Sequence, residues 1–407
     1  MNCRHCSEKL IHVFLDLGFA PPSNSYLSIE SLNEPEITFP LKLYVCERCW
    51  LVQTQDYAQP EVFFSEDYAY FSSISKTWLE HSYEYTLMII HLLDLSSDSF
   101  VIEIASNDGY LLKNFLAKNI PCLGIEPTTS TADVAEGIGI PVLREFFNSS
   151  LAKDLSKAGK QANLICGNNV YAHVPDINDF TLGLSILLKP SGTITLEFPH
   201  LLRLIEQNQF DTVYHEHFSY LSLTTVSNIF ARSELRIYNV EELKTHGGSL
   251  RIYGCHINDP RQTNISVRNL LETERVFGLK DIQVYLNFQN KANNIKNNFV
   301  EFLISQKKLG KSVSAYGAAA KGSTLLNYSG VKGDLIDFIF DAAPSKQNRY
   351  MPGSHIPILH PNKLPLLRPD WIIVLPWNIA DEIISQVNIK SWGGRFVIAV
   401  PQLKVIL

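Results

Sequence analysis

The sequence predicts an α/β protein: a doubly wound, mainly parallel sheet, preceded by a small four-cysteine module and followed by a second α/β unit. Three observations carry this. Two C-x-x-C pairs stand near the start, Cys3 with Cys6 and Cys46 with Cys49. From Phe100 onward short apolar runs alternate with longer amphipathic ones. After a long helical stretch the alternation resumes at Ser312. The length of 407 residues leaves room for several domains. Lys and Arg number 35 against 41 Asp and Glu, so the chain lacks the positive field of a general nucleic-acid binder. Its longest apolar runs, such as residues 371–375, fall far short of the roughly 18 residues of a membrane helix. No apolar signal region follows Met1, which predicts a cytoplasmic protein with reduced thiols.

The first element is the cysteine module, expected over residues 1–62. Two C-x-x-C pairs flanking turn signals (Pro21-Pro22-Ser23-Asn24, Pro35, Pro40) suggest a tetrahedral thiolate cage from Cys3, Cys6, Cys46 and Cys49. Four thiolates close the coordination sphere, so the metal expected is structural zinc. A segment this short seldom buries enough core alone.

The second element is expected over residues 63–290. Strands are predicted at residues 100–105, 122–126, 141–143, 162–166 and 192–198, with a helix at 177–188. Residues 236–240 and 249–253 read as an antiparallel pair closing one sheet edge. Ligands in such sheets lie at the carboxyl ends of the strands. The first strand runs into Glu103-Ile-Ala-Ser-Asn-Asp-Gly109, without the G-x-G-x-x-G that a dinucleotide diphosphate needs. An acid, small residues and one glycine suit a ligand without phosphate at that point. Glu126 ends the next strand, where a carboxylate can accept both ribose hydroxyls. Together these fit S-adenosylmethionine, with Ala105, Ser106, Asn107, Gly109, Pro127, Asn168 and Asn169 completing the candidate cofactor site.

Substrate is expected over the same edge. His173 lies in a polar loop after the fourth strand. In Tyr214-His215-Glu216-His217, an extended backbone would put His215 and His217 on one face and Tyr214 and Glu216 on the other. An imidazole oriented by a carboxylate is suited to general base catalysis. The Tyr- and Ser-rich stretch with Tyr68, Tyr70 and Ser73 reads as a loop entering the site, and His246 as part of a tight hairpin turn.

The third element, expected over residues 291–407, repeats strand, glycine turn and helix at Ser312-Val-Ser-Ala-Tyr-Gly317-Ala-Ala-Ala-Lys321. Further strands are predicted at 336–341 and 371–375. Lys321, Lys346 and Arg349 supply positive charge on an otherwise acidic chain, as diphosphate capture requires. This reads as a second, Rossmann-like unit for a phosphorylated or nucleotide-linked substrate.

Taken in order, these segments resemble the C-methyltransferases that act on nucleotide-linked, usually dTDP-linked, 4-keto-6-deoxysugars. The motifs that carry the likeness are the two C-x-x-C pairs, Tyr68-Ala-Tyr-Phe-Ser-Ser-Ile-Ser-Lys-Thr-Trp78, Glu103-Ile-Ala-Ser-Asn-Asp-Gly-Tyr110, Asn169-Val-Tyr-Ala-His-Val-Pro-Asp176, Tyr214-His-Glu-His-Phe-Ser-Tyr220, His246-Gly-Gly-Ser-Leu-Arg251 and Tyr316-Gly-Ala-Ala-Ala-Lys-Gly322. The resemblance implies a class I methyltransferase-like sheet, zinc in the first module, and a sugar nucleotide between the second and third units. It implies His217 as base, with Tyr68, His173, Tyr214 and Glu216 lining the sugar. The family holds C3- and C5-methylating members, and C3 is the position expected first. A zinc-containing nucleic-acid binder and an NAD-dependent sugar oxidoreductase or epimerase are the competing readings. The acidic balance weighs against one and the missing glycine fingerprint against the other. No nucleic-acid or membrane partner is expected, and a monomer suffices.

Overall fold

The computed structural model describes residues 1–55, 71–387 and 389–406, arranged around three sheets. The first sheet is antiparallel, ordered β1 (His12–Ala20), β2 (Phe39–Val45), β3 (Val52–Thr54) and β9 (Ser219–Tyr220). Leu41, Leu43 and Val45 alternate inward along β2, the period-two pattern of a half-buried strand. The last strand comes from far along the chain: β9 pairs Tyr220 with Val52 and Ser219 with Gln53. The cysteine module is thus completed by the second unit.

The second sheet has seven strands, ordered β10-β11-β8-β7-β4-β5-β6. These are β4 (Val101–Ile104), β5 (Cys122–Ile125), β6 (Val142–Leu143), β7 (Ala162–Asn168), β8 (Leu188–Pro199), β10 (Leu235–Leu243) and β11 (Ser249–His256). Strands β4 to β8 are parallel, and β11 runs against both its neighbours. From β4 the order runs one way to β5 and the other way to β7, so a topological switch point lies at the carboxyl end of β4. Glu103, Glu126 and Asn168 stand at that edge. The predicted class of sheet and its antiparallel closing pair are both present.

The third sheet is ordered β14-β13-β12-β15-β16-β17. It comprises β12 (Val313–Tyr316), β13 (Ile339–Phe340), β14 (Ile358–Leu359), β15 (Trp371–Val374), β16 (Arg395–Ile398) and β17 (Lys404–Ile406), parallel except for β17. The helical stretch before it divides into Ile282–Leu286 and Phe288–Lys308. Phe288, Ala292, Ile295, Phe299 and Leu303 recur at helical spacing and are buried. They join one core with Phe14, Leu15 and Leu43 of the first sheet and Ala315 and Ile339 of the third. Phe14 stacks on Phe288 with ring centroids 4.9 Å apart. Shared apolar burial therefore fixes the first and third sheets to each other. Among the described residues, no helix is long and apolar enough to cross a membrane.

Candidate active site

The four predicted cysteines meet. Cys3 and Cys49 sulfurs lie 3.5 Å apart, as do those of Cys6 and Cys46, and all four fall within 4.8 Å of one another. A tetrahedral ion with bonds of about 2.3 Å needs sulfurs roughly 3.8 Å apart, so the cage fits zinc. Contact with the Cys46 and Cys49 thiols holds Cys3 far below the usual thiol value. Contact with Cys3 in turn pushes Cys46 up to about 11 and raises Cys49. Four sulfurs this close ionise together only around a cation. Gln53 Nε2 donates to Cys3 Sγ at 3.2 Å. Arg4, between two of the cysteines, donates to the Thr54 carbonyl at 2.9 Å and the Pro175 carbonyl at 2.7 Å. The cage is thereby tied to the loop that carries His173.

At the switch point, Glu103 is fully buried, and neither carboxylate oxygen meets a donor at hydrogen-bond geometry among the described residues. Burial holds its pKa well above the usual carboxylate value. The Tyr110 hydroxyl opposes the shift, and the charges of Asp108 and Glu126 add to it. Such a carboxyl suits a cationic ligand, as S-adenosylmethionine is. The turn beyond it is built for close approach: Ala105 and Asn107 adopt φ of +56° and +50°, conformations that cost side-chain-bearing residues free energy. Glu126 holds the turn by accepting from Asn107 N at 2.9 Å and, through its other oxygen, from Thr128 N at 2.9 Å. The main chains of Ser72 and Ser73 donate to Asn107 Oδ1 and Asp108 Oδ2 at 2.9 and 3.0 Å. Ser73 therefore sits against the 105–109 turn.

Residues 214–217 form a tight turn, closed by His217 N donating to Tyr214 O at 3.0 Å. The extended alternation expected of this segment is absent. His215 is buried against the first sheet, where its Nε2 donates to Phe39 O at 3.2 Å, while His217 faces Tyr214, 4.1 Å between ring centroids. The physical reason is tertiary: Phe218 N donates to Ala172 O at 2.8 Å, and Thr54 N donates to Phe218 O at 3.1 Å. Glu216 is directed to the first module, accepting from Asn24 Nδ2 at 2.7 Å and Ser23 Oγ at 3.4 Å.

His217 Nδ1 lies 3.2 Å from the Thr212 carbonyl. A carbonyl only accepts, so Nδ1 carries the proton and Nε2 keeps its lone pair. Burial holds the ring's pKa well below 6.5. The charge of a neighbouring His173 adds to this, the Thr212 carbonyl opposes it, and His246 and Lys321 add further. His173 stands edge-on to His217 at 4.6 Å, and burial lowers it to about 4. The pair is neutral near pH 7. Tyr68 and Tyr70, expected beside them, lie outside the described residues.

His246 occupies the predicted turn at φ +52°. Its Nε2 accepts from Asn169 Nδ2 at 3.1 Å. Asn169, just past β7, donates its N–H to the Glu197 carbonyl at 2.7 Å. From the third sheet, Thr324 Oγ1 donates to the Val213 carbonyl at 2.7 Å, setting the helix Ala320–Ser329 against the backbone that leads to His217. Lys321, on the first turn of that helix, donates to Asn378 Oδ1 at 2.7 Å and lies over the Trp377 ring at 4.7 Å. Lys346 donates to the Ala318 carbonyl at 2.9 Å, and Arg349 to the Tyr26 carbonyl at 3.4 Å.

Sequence reasoning missed several residues here. Glu197 on β8 is fully buried. Its Oε2 accepts from His81 at 2.9 Å and Arg251 at 3.1 Å, and its Oε1 from Thr245 at 2.8 Å. Burial alone would raise its pKa, but His81 and Arg251 reverse the sign and keep it ionised. A single acid inside the apolar run 194–198 was the available signal. Asp211, also fully buried, accepts from Trp377 Nε1 at 2.8 Å, and no local pattern marked it.

Residues 3–64 match a family model described as a zinc binding domain, 79–240 one described as a methyltransferase domain, and 244–401 one described as a C-methyltransferase C-terminal domain. The chain is 31% identical to the C-methyltransferase NovU of Streptomyces niveus over 408 residues, covering 100% of this chain and 96% of that protein. Two solved structures resemble parts of it, too weakly to bear on function. The magnesium protoporphyrin IX methyltransferase of Synechocystis PCC 6803 has 11% identity and a TM-score of 0.35, over 44% of this chain and 84% of that one. The PH0226 protein of Pyrococcus horikoshii OT3 has 12% identity and a TM-score of 0.38, over 46% and 95%. With a full-length relative at this identity and three consecutive family matches, the chain belongs to the S-adenosylmethionine-dependent C-methyltransferase family.

Proposed function

We propose that the protein methylates a ring carbon adjacent to the ketone of a nucleotide-linked 4-keto-6-deoxysugar, with C3 the favoured position and dTDP the favoured carrier, in cytoplasmic deoxysugar biosynthesis. The observation that carries this reading is the His217 tautomer: Nδ1 is committed to the Thr212 carbonyl, and Nε2 is left unprotonated, with its lone pair free, beside neutral His173. A C–H beside a ketone is acidic because the carbanion delocalises onto oxygen. His217 Nε2 takes that proton, and the electron pair moves into an enolate. S-adenosylmethionine, when bound, supplies an electrophilic methyl group on its sulfonium.

The chain's residues divide the remaining work. Glu103, Ala105, Ser106, Asn107, Gly109, Glu126, Pro127, Asn168 and Asn169 hold the donor at the ends of β4, β5 and β7. Tyr214, His173, Ser73 and His246 surround the sugar, Glu216 braces the turn from the first module, the family resemblance alone adds Tyr68 and Tyr70, and Lys346 and Arg349 take the diphosphate. Holding both reactants in one geometry removes much of the entropic barrier. Zinc in the cysteine cage is structural and takes no part in the chemistry. The test is deuterium washout from the carbon next to the ketone in His217→Asn, with S-adenosylhomocysteine in place of the methyl donor. Washout at the wild-type rate removes His217 as the base. An oxidoreductase reading lacks support, since no G-x-G-x-x-G follows β4 or β12.

A further inference from the structure

We infer that Lys321 is the oxyanion-stabilising residue of the reaction: its ammonium meets the substrate ketone oxygen, with Asp211 as the positioning counter-charge. This rests on the enolate reading above and gives Lys321 a different substrate atom from the diphosphate that its sequence context suggested.

Placement comes first. Lys321 and Thr324 are one turn apart on the helix Ala320–Ser329 and share a face. Thr324 Oγ1 bonds the Val213 carbonyl, so that face lies on the 210–213 segment whose Thr212 carbonyl fixes the His217 tautomer. Lys321 reaches the same segment through Trp377, whose ring it covers and whose indole N–H bonds Asp211. Its charge is felt by both His217 and His246. Lys346 and Arg349 bond instead to Ala318 and Tyr26.

Unspent hydrogen-bonding capacity comes second. Among the described residues the Lys321 ammonium makes a single hydrogen bond, to Asn378, although it has three donors. Asp211 is fully buried and spends Oδ2 on Trp377, while Oδ1 has no hydrogen-bond partner among the described residues. A buried carboxylate with a free oxygen, sharing the Trp377 indole with an under-used ammonium, costs stability. The arrangement becomes satisfied when an anionic oxygen reaches the lysine. Negative charge builds on the ketone oxygen as the C–H bond breaks. That bond's pair becomes the C=C bond, the carbonyl π pair moves to oxygen, and the proton goes to His217 Nε2. The oxygen pair then re-forms the C=O bond while the C=C pair bonds the methyl carbon, whose bond to sulfur would break with its electrons left on sulfur as S-adenosylhomocysteine. Lys321 keeps its proton through the step: burial lowers its pKa, and the Asp211 charge opposes that. Trp377 stacks under the cation and fixes where it points.

The test uses the full-length protein with its zinc. Lys321→Met, Lys321→Arg and Asp211→Asn are assayed for washout rate, kcat, and the affinities of the sugar nucleotide and S-adenosylmethionine. Loss of one oxyanion donor predicts roughly a hundredfold fall in washout and kcat for Lys321→Met, with both affinities within threefold and partial rescue in Lys321→Arg. Asp211→Asn moves the alkaline limb of kcat to lower pH, because the ammonium loses the counter-charge that opposes the lowering of its pKa by burial. A tenfold weaker sugar nucleotide affinity with kcat kept overturns the proposal and returns Lys321 to diphosphate binding. Normal washout in Lys321→Met alongside lost washout in His217→Asn overturns it while leaving the base in place. Normal washout in His217→Asn with loss in Lys321→Met removes the base and keeps the oxyanion site. Unchanged melting temperatures show that each variant folds.

Discussion

Thr54 donates its main-chain N–H to the Phe218 carbonyl at 3.1 Å, which joins the last strand residue of the zinc module to the residue after His217. The chain from Cys49 to that bond is short, and Gln53 within it also touches Cys3 Sγ. The cysteine cage and His217, the proposed base, are therefore mechanically linked. Removing zinc with a chelator, or making Cys46→Ser, should loosen β3, β9 and the 214–217 turn together. Methyl transfer should fall by about a hundredfold or more, the size expected when a catalytic group is misplaced by an ångström. S-adenosylmethionine affinity should hold, because its strands belong to the other sheet. Metal content, turnover and calorimetric binding measured on the same sample decide this, and full turnover without zinc would refute the linkage.

His217→Ala should lower kcat by roughly 10²–10⁴, the usual contribution of a positioned general base. Calorimetry should find S-adenosylmethionine binding unaltered. His215→Ala, by contrast, removes a side chain whose Nε2 bonds the Phe39 carbonyl of the first sheet and should leave turnover within a few-fold. A larger loss from His215 than from His217 would reverse the assignment.

Acidity should affect the enzyme late. His217 and its neighbours His173 and His246 are all held below 6.5, chiefly by burial. A depressed imidazole pKa means the base stays unprotonated, and so competent, until the pH drops below the ordinary histidine range. The acid limb of kcat/KM should therefore lie below pH 6.5. A limb at or above that value would show that the cluster is not enclosed in the free enzyme.

Glu103→Gln should separate stability from binding. The folded-state pKa of Glu103 is raised, so its favourable contribution is present below the unfolded value and lost as pH rises towards neutrality. At pH 7 the glutamine variant should melt at the same temperature or higher, by an amount on the order of 1–3 kcal/mol. The melting shift produced by S-adenosylmethionine should shrink. A variant that unfolds without ligand would mean that Glu103 has a structural partner.

Gly247→Ala should disturb the third sheet's contact with the site. At φ +88°, a Cβ there would stand 2.4 Å from Trp377 Cη2. The indole must shift, and its bond to Asp211 goes with it. Overpacking of this kind costs about 1–3 kcal/mol, visible as a lower melting temperature and a moved Trp377 indole N–H resonance. An unmoved resonance would show that the turn itself yields.

The two parallel sheets were readable from sequence because strands such as β4 and β7 are covered on both faces and appear as unbroken apolar runs. The cysteine cage was readable because its spacing reflects coordination chemistry. The first sheet was not, since β9 lies far along the chain from β3 and no local pattern reports such a partner. Residues 214–217 carry no glycine or proline, so nothing announced a turn that Ala172 and Thr54 impose from outside. Lys321 was seen, but its partner Asn378 is 57 positions away, and its direction depended on that partner.

The strand contributed by Ser219 and Tyr220 also sets the rules by which relatives can exchange parts. A crossover that swapped only the leading 55 residues would pair a foreign β3 with a resident β9, leaving the seam beside the base to chance. Hybrid enzymes assembled with residues 200–222 carried along should survive more often than those cut at the apparent module boundary, so the heritable unit here is discontinuous in the gene although continuous in space.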